Sequence, residues 1–396
     1  MDTSTNLIKP SLKSESTLAD AKAQLRILFV SHAYVNGLNQ GKLAAIAATQ
    51  KAEVALVVPT NWKASGWQKV LQLETPYSSI KVYPAKIWLA GRVGAFLYAP
   101  WTIWKAIKEF QPDIVHVEQE VFSFASLELA LITKLLNIPV GFFGWENIDR
   151  RLPLPRRWIR RIVLNIAQLI VAGNEEGAKL VRQWGYQRTL AVMPQLGVDA
   201  ALFAPRKRDR AARFRIGYLG RMLHQKGIET LFSTVHYLNQ WGYSIELVLC
   251  GSGTDEVALK TEAERQEVSN LIDWRKSVSH AQVPEVLNEF DVLVLPSRTG
   301  EVWKEQFGHV LIEAMCMGVP VIGSTCGEIP NVIARDDLVF PEGDALSLAN
   351  IIQRMILELD WYEEVSHYGR DRVKKHYTHE QIAQRLITLW QQVLEQ

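Results

Sequence analysis

Cysteine is scarce: the 396 residues hold three, Cys250, Cys316 and Cys326, all in the second half and none in C-x-x-C spacing. An odd number so placed excludes a disulfide framework and a thiolate-built structural zinc, and it points to a reducing, cytoplasmic setting. One-sided charge is missing as well. Lys and Arg number 44 against 42 Asp and Glu, leaving +2, so the whole-molecule field offers nucleic acid no attraction. No membrane-length apolar run occurs. The longest candidate, 87–107, is broken by Arg92, Pro100, Lys105 and two glycines and falls short of the roughly 20 apolar residues that span a bilayer. The opening stretch, 1–24, is rich in Ser, Thr, Lys and Asp and reads as a flexible tail, neither signal peptide nor anchor. The chain is therefore expected in the cytoplasm or on the inner face of the cell membrane. None of the 14 aspartates is spaced Asp-x-Asp, a pattern that holds a divalent cation on a diphosphate, so no metal is expected; no cofactor is expected either.

What remains is an ordinary globular composition, 48% hydrophobic and 22% charged, in a chain long enough for two or three domains with full cores. From residue 26 onward, short apolar runs bounded by turn residues alternate with helical-period segments, the pattern of βαβ units and a parallel sheet. Strands are predicted at 26–31, 53–58, 80–83, 114–117, 140–143 and 169–172, then at 214–218, 246–250, 271–274, 292–295, 319–322 and 338–340. Two such series imply an α/β protein of two doubly wound domains, 25–205 and 206–375, joined where Pro205 runs into the charges of 206–210. A C-terminal helix, 376–396, is expected to pack back on the first domain. Ligands of open parallel sheets sit beyond the carboxyl ends of the strands, so the domains should face each other across a ligand-holding cleft.

The densest chemistry is the stretch from Glu305 through Phe307, Gly308 and His309 to Glu313, just after the predicted strand 292–295. Gly308 is placed to open a helix whose free N–H groups attract an anion. Carboxylates beside such a site repel phosphate and accept hydrogen bonds from hydroxyls, as a sugar or ribose provides; taken alone, they equally suit complementing the helix dipole. A second cluster, Gly220-Arg221 to Lys226-Gly227, follows the strand 214–218 and brings two cations to a tight turn, an arrangement suited to a diphosphate. The short Gly251-Ser252-Gly253 is as well explained by a strand-end turn.

These motifs, in this order, resemble those of the retaining glycosyltransferases of family 4. The Glu305-x7-Glu313 spacing is similar to the family's nucleotide-sugar element, and Glu313 to Met315 with Gly318 to Ile322 continue it. Gly220, Arg221, Lys226 and Gly227 match its phosphate clamp, and Pro194 to Asp199, Phe203, Pro205, Asp291-Val292 and Pro296-Ser297 match in order. The resemblance covers nearly all of the second half and the first half weakly. It implies the GT-B fold, two Rossmann-like domains facing across a cleft. The implied activity is transfer of a sugar from a nucleotide-diphosphate donor to a carbohydrate or lipid-linked glycan, with retention and without metal, in exopolysaccharide or cell-envelope glycan synthesis.

Carried over by residue, the resemblance implies that Glu313 holds the ribose, Glu305 the donor sugar, and Arg221 and Lys226 the departing diphosphate. Backbone amides at Phe307, Gly308 and His309 would face the sugar and phosphate, Val278 would edge the base, and Gly37 and Gly41 with Asn39, Gln40 and Lys42 would stand in for a glycine-rich loop. One departure is plain. Many members carry a histidine after the strand equivalent to 140–143, where this chain has Gly144-Trp145-Glu146-Asn147. Either Glu146 or Asn147 takes over a sugar or acceptor contact, or Trp145 caps the core and Glu146 caps a helix. His116, on an apolar strand, reads as a core or cleft-edge histidine.

Arg150, Arg151, Arg156, Arg157, Arg160 and Arg161 crowd a dozen residues with Trp158 and Ile159, and no glutamate or aspartate occurs among 150–161. The composition suits an anionic membrane or a pyrophosphate-linked acceptor, with aromatic residues of 88–104 as an added contact or as core. Two rivals stay open: a nucleotide-sugar epimerase of the same fold and a silent nucleotide-sugar-binding subunit. A tandem dinucleotide-binding dehydrogenase is disfavoured, because no complete Gly-x-Gly-x-x-Gly follows either opening strand.

Overall fold

The computed structural model describes residues 24–63, 70–89, 94–207 and 212–396. The predicted tail up to residue 23 and residues 208–210 of the expected linker lie outside the described residues. The first half builds β1 (Leu25–Val30), β2 (Ala52–Pro59), the ribbon β3 (Asn61–Trp62) with β4 (Leu71–Gln72), β5 (Ile80–Ala85), and the ribbon β6 (Ile87–Trp88) with β7 (Leu97–Tyr98). It continues with β8 (Ile114–Glu118), β9 (Val140–Gly144), β10 (Leu169–Ala172) and β11 (Thr189–Val192). The second half adds β12 (Phe214–Leu219), β13 (Ile245–Cys250), β14 (Ile272–Arg275), β15 (Val292–Leu295), β16 (Val321–Ser324) and β17 (Val339–Phe340).

Two parallel sheets result, with orders β11-β10-β9-β8-β1-β2-β5 and β14-β13-β12-β15-β16-β17. Helices cover both faces, which is why the central strands read as unbroken apolar runs: Ile27, Leu28, Phe29 and Val30 are all fully buried. Both sheets reverse winding direction at one place, between β1 and β8 in the first and between β12 and β15 in the second. A ligand crevice belongs at the carboxyl edge of such a switch point.

All twelve predicted strands coincide with observed ones to within two residues at each end. The strand predicted at 319–322 begins at Val321, after Pro320, which has no N–H to give the ladder and whose carbonyl accepts the Leu293 N–H at the strand entrance. β11 was not predicted. It is an edge strand whose four residues are all half-buried, so it lacks the apolar run that marks its neighbours.

The chain's last helix, His379–Leu394, lies against the first sheet. Ile382, Leu386 and Trp390 join Ile27, Phe29, Leu43 and Ile46 in one core. The return is fixed where the Val198 N–H donates to the Tyr377 carbonyl (2.8 Å) and the His379 N–H to the Val198 carbonyl (3.2 Å). His116 is a core histidine. Its Nδ1 accepts from Trp390 Nε1 at 3.4 Å, and burial depresses its pKa to about 3, so it is neutral. Among the described residues, no helix is long and apolar enough to cross a membrane.

Candidate active site

The site forms past the carboxyl ends of strands from both sheets. Gly220 follows β12 and donates its N–H to the Cys250 carbonyl at 3.0 Å. Six residues on, the turn that presents Lys226 closes at Gly227, whose φ of +65° and whose missing Cβ, 2.1 Å from the Pro296 carbonyl oxygen, admit no other residue. Lys226 Nζ thereby reaches Glu305 Oε2 at 2.5 Å and lies 4.9 Å from the centre of the Trp303 ring. Glu305, itself only 8% exposed, also accepts the Ser297 hydroxyl at 2.8 Å. Its backbone is held as firmly: Cys326 Sγ accepts its N–H at 3.5 Å and its carbonyl accepts the Glu328 N–H at 3.1 Å.

Gly308 opens the helix His309–Cys316 in a left-handed conformation, φ +83°, where a Cβ would stand 2.7 Å from Leu295. The start of this helix therefore points its unpaired N–H groups at the same space as Lys226. That space is a cavity of about 410 Å³. Gly220, Arg221, Lys226, Glu305, Phe307, Gly308 and His309 line it from the second sheet, Trp145 and Gln195 from the first. Burial lowers the pKa of His309, which keeps the ring neutral beside the anion-attracting end of the helix.

Glu313 and Val278 stand outside this wall. Glu313, on the second turn of the helix, meets His280 Nε2 at 3.3 Å, and that hydrogen bond raises the histidine's pKa. Val278 is half-buried against the second core, two residues from His280.

The first half departs from expectation. Gly37 and Gly41 do not line the cavity, because their loop folds into short 3₁₀ turns pinned elsewhere. The Gly37 N–H donates to Glu74 Oε2 at 2.8 Å, and a Cβ on Gly41 would stand 2.8 Å from His379. In the stretch that replaces the histidine, Trp145 is the cavity wall, tilted against Phe307 and edge-on to His309 with ring centres 6.2 and 6.1 Å away. Glu146 is turned to Arg150 (3.1 Å) and caps no helix, so it does not reach the cavity, while Asn147 Nδ2 crosses the cleft to the Glu305 carbonyl at 3.4 Å. Arg157, Arg160 and Arg161 line a separate cavity, and Arg156 lies beside Gly94.

Sequence reasoning missed the support behind Trp145. Its Nε1 donates to Gln195 Oε1 (3.1 Å), and Gln195 Nε2 donates to Glu118 Oε2 (2.8 Å), which pairs with the buried Lys42. Its N–H donates to Glu120 Oε1 at 2.7 Å, a contact that Gly144 permits because a Cβ there would stand 2.8 Å from the carboxylate. Two acids at the carboxyl end of a switch-point strand were the available signal; nothing in the sequence singles out Gln195.

Burial raises the Glu120 pKa to about 7. A carboxyl raised from an unfolded value near 4.5 contributes stability that is complete below that pH and is lost as pH climbs to about 7. Glu120→Gln is expected to flatten this part of the pH–stability curve, by at most about 3 kcal/mol between pH 4.5 and 7. Urea denaturation across that range checks it, and an unchanged slope would show Glu120 ionised in the folded protein throughout.

Residues 204–372 match the family described as glycosyl transferases group 1, and residues 43–202 match Glycosyltransferase Family 4. The chain belongs to the family-4 glycosyltransferases. Among curated relatives, it is 28% identical over 190 residues to the capsular polysaccharide biosynthesis glycosyltransferase CapM of Staphylococcus aureus, covering 46% of this chain and 47% of that one. It is 29% identical over 281 residues to the amylovoran biosynthesis glycosyltransferase AmsK of Erwinia amylovora, covering 67% of each. The chain thus spans from about half to two thirds of the length of these relatives. The GT-B fold is shared with sucrose-phosphate synthase from Thermosynechococcus elongatus, at TM-score 0.71 and 17% identity over 94% of this chain and all of that one. Anabaena HepE, solved in complex with UDP-glucose, gives TM-score 0.62 and 16% identity over 94% and 99% of the two chains.

Proposed function

We propose that the protein is a retaining hexosyltransferase that moves a sugar from a nucleotide-diphosphate donor to a carbohydrate or lipid-linked glycan acceptor in exopolysaccharide or cell-envelope glycan synthesis. The observation that carries the proposal is the convergence of Arg221, Lys226 and the helix start at Gly308 on one cavity that also holds a buried, hydrogen-bonded carboxylate, Glu305. The cations and helix N–H groups suit a departing diphosphate, and fixed charges aimed at a leaving group are the usual means of lowering such a barrier. When phosphate draws Lys226 away, Ser297 still holds Glu305, leaving the carboxylate to accept a sugar hydroxyl. Glu313 takes the ribose in this reading, and Val278 borders the base. Residues 25–205 form the acceptor-side domain and 206–375 the donor domain, with peripheral attachment to an anionic membrane through the helix Leu154–Ile166.

A panel of nucleotide sugars, assayed for binding and slow hydrolysis without acceptor, tests the proposal, starting with uridine diphosphate sugars. Micromolar to millimolar binding of one donor with slow sugar release is expected; no binding across the panel would overturn it. Within that assay, Glu313→Ala should weaken free nucleoside diphosphate by roughly 10- to 150-fold, the worth of a hydrogen bond to a charged group. Glu305→Gln should spare the free nucleotide and weaken only the intact donor. Equal nucleotide affinity in wild type and Glu313→Ala would remove the ribose assignment.

A further inference from the structure

A second cavity, of about 700 Å³, lies away from the donor site, between the helix Leu154–Ile166 and the turn 184–188 that follows the helix Glu175–Gln183. Arg157, Arg160, Arg161 and Arg188 line it, and no carboxylate is among its lining residues. Its walls are built. The Arg160 guanidinium lies over the Trp184 ring, 4.3 Å from its centre, and Trp184 Nε1 donates to Asp149 Oδ1 at 3.3 Å behind that wall. Arg188 Nη1 donates to the carbonyls of Asn165, Ile166 and Ala167 at the helix end (3.1, 3.4 and 2.8 Å), and Arg182 ties the turn through the Tyr186 and Arg188 carbonyls (2.8 and 3.0 Å).

Arg157 and Arg161 differ from these. Both are exposed and have no ion-pair partner among the described residues. They lie four apart, where like charges repel. Arg157 also sits in the opening turn of the helix, which carries no acid, at the end of the dipole that disfavours cations. Self-stability of the helix therefore does not explain them, whereas an anion between them relieves both penalties. Beside this basic row runs an apolar one, Leu154, Trp158 and Ile162, exposed by 66%, 61% and 36% at a spacing of four. Adjacent basic and apolar rows on one outward face are the layout of a helix lying in a membrane interface.

We propose that this cavity binds the phosphorylated headgroup of an anionic membrane lipid, with Arg157 and Arg161 donating to the phosphate and Leu154, Trp158 and Ile162 entering the boundary between headgroups and chains. The inference rests on the membrane part of the proposed function and adds to it a defined, saturable headgroup site with Trp184 as its wall.

The test is sedimentation with vesicles of phosphatidylcholine alone and of phosphatidylcholine mixed with phosphatidylglycerol, with and without soluble glycerol phosphate. Wild type should bind the mixed vesicles at least about tenfold more tightly than the neutral ones, and glycerol phosphate should compete. Arg157→Gln with Arg161→Gln should lose about 30-fold, from the usual contribution of a basic residue at an anionic surface. Trp184→Leu, which keeps every charge, should lose about threefold through Arg160; melting temperatures check that both variants fold. Equal, weak binding to the two vesicle types overturns the membrane reading and this site with it. Preferential binding that ignores Trp184→Leu and glycerol phosphate overturns the cavity alone and leaves a diffuse basic surface. Binding of glycerol phosphate itself, read as a raised melting temperature, without vesicle binding overturns the membrane source. The donor panel is independent of all three, so failure here is separable from failure of the transferase assignment.

Discussion

Lys226→Ala is expected to lower turnover by roughly 10²- to 10³-fold, the usual loss when one preorganised group is removed from a developing charge. Three features support the proposed role of the lysine. Gly227 fixes the turn, since its backbone approaches the Pro296 carbonyl more closely than any side chain permits. Trp303 bounds the ammonium on one side and Glu305 on the other, so it is held in place before any donor arrives. The space it faces is the one into which the first amides of the helix His309–Cys316 point. Negative charge on a diphosphate grows as the bond to the sugar breaks, so the loss should fall mainly on kcat and less on KM. Lys226→Arg should recover part of the rate, because charge is kept while the compact ammonium is exchanged for a planar fork. Arg221 is exposed and makes the weaker case: Arg221→Ala should cost less than Lys226→Ala. Acceptor-free hydrolysis of the donor measures all three variants. A raised KM with unchanged kcat for Lys226→Ala would confine the residue to ground-state binding.

What could be read from the chain follows from where the determinants lie. β1, β8, β12 and β15 are buried on both faces, and that alone makes them apolar runs visible without partners. Gly227 and Gly308 were legible because each meets a local backbone demand, a positive φ at a turn or helix entrance. The surroundings of Gly37 and Gly41 were not legible, for the complementary reason. In the fold the space beside their α-carbons is taken by Glu74 and by His379, the latter more than 300 residues away. The contacts behind Trp145 are equally non-local. Gln195 lies 50 residues from Trp145 and 77 from Glu118, so no spacing rule connects them. Short ribbons such as β3 with β4 pair only two residues each, too few for a period to show.

The largest expected effect on stability lies in that same network. Lys42 and Glu118 form an ion pair at 2.5 Å with 1% and 3% exposure, beneath the rings of Phe29 and Tyr34. The Tyr34 hydroxyl donates to the same carboxylate oxygen at 2.8 Å, and Gln195 takes the other. Burial works against both charges, and at Glu118 the charge of Lys42 together with hydrogen bonds from Lys42 and Gln195 outweighs it, holding the carboxyl below its ordinary range. Removing one partner strands the other without water, so Lys42→Met and Glu118→Leu should each cost about 3–5 kcal/mol. Combining them removes both charges and leaves volume of similar size, so the double variant should recover most of that loss. Its activity should not recover in step. With Glu118 gone, Gln195 Nε2 has lost its acceptor and no longer holds Trp145 against Phe307 and His309. Urea unfolding set beside donor hydrolysis separates the two roles. Single variants costing less than about 1 kcal/mol would mean that water reaches the pair, and a double variant as fast as wild type would free Trp145 from any dependence on it.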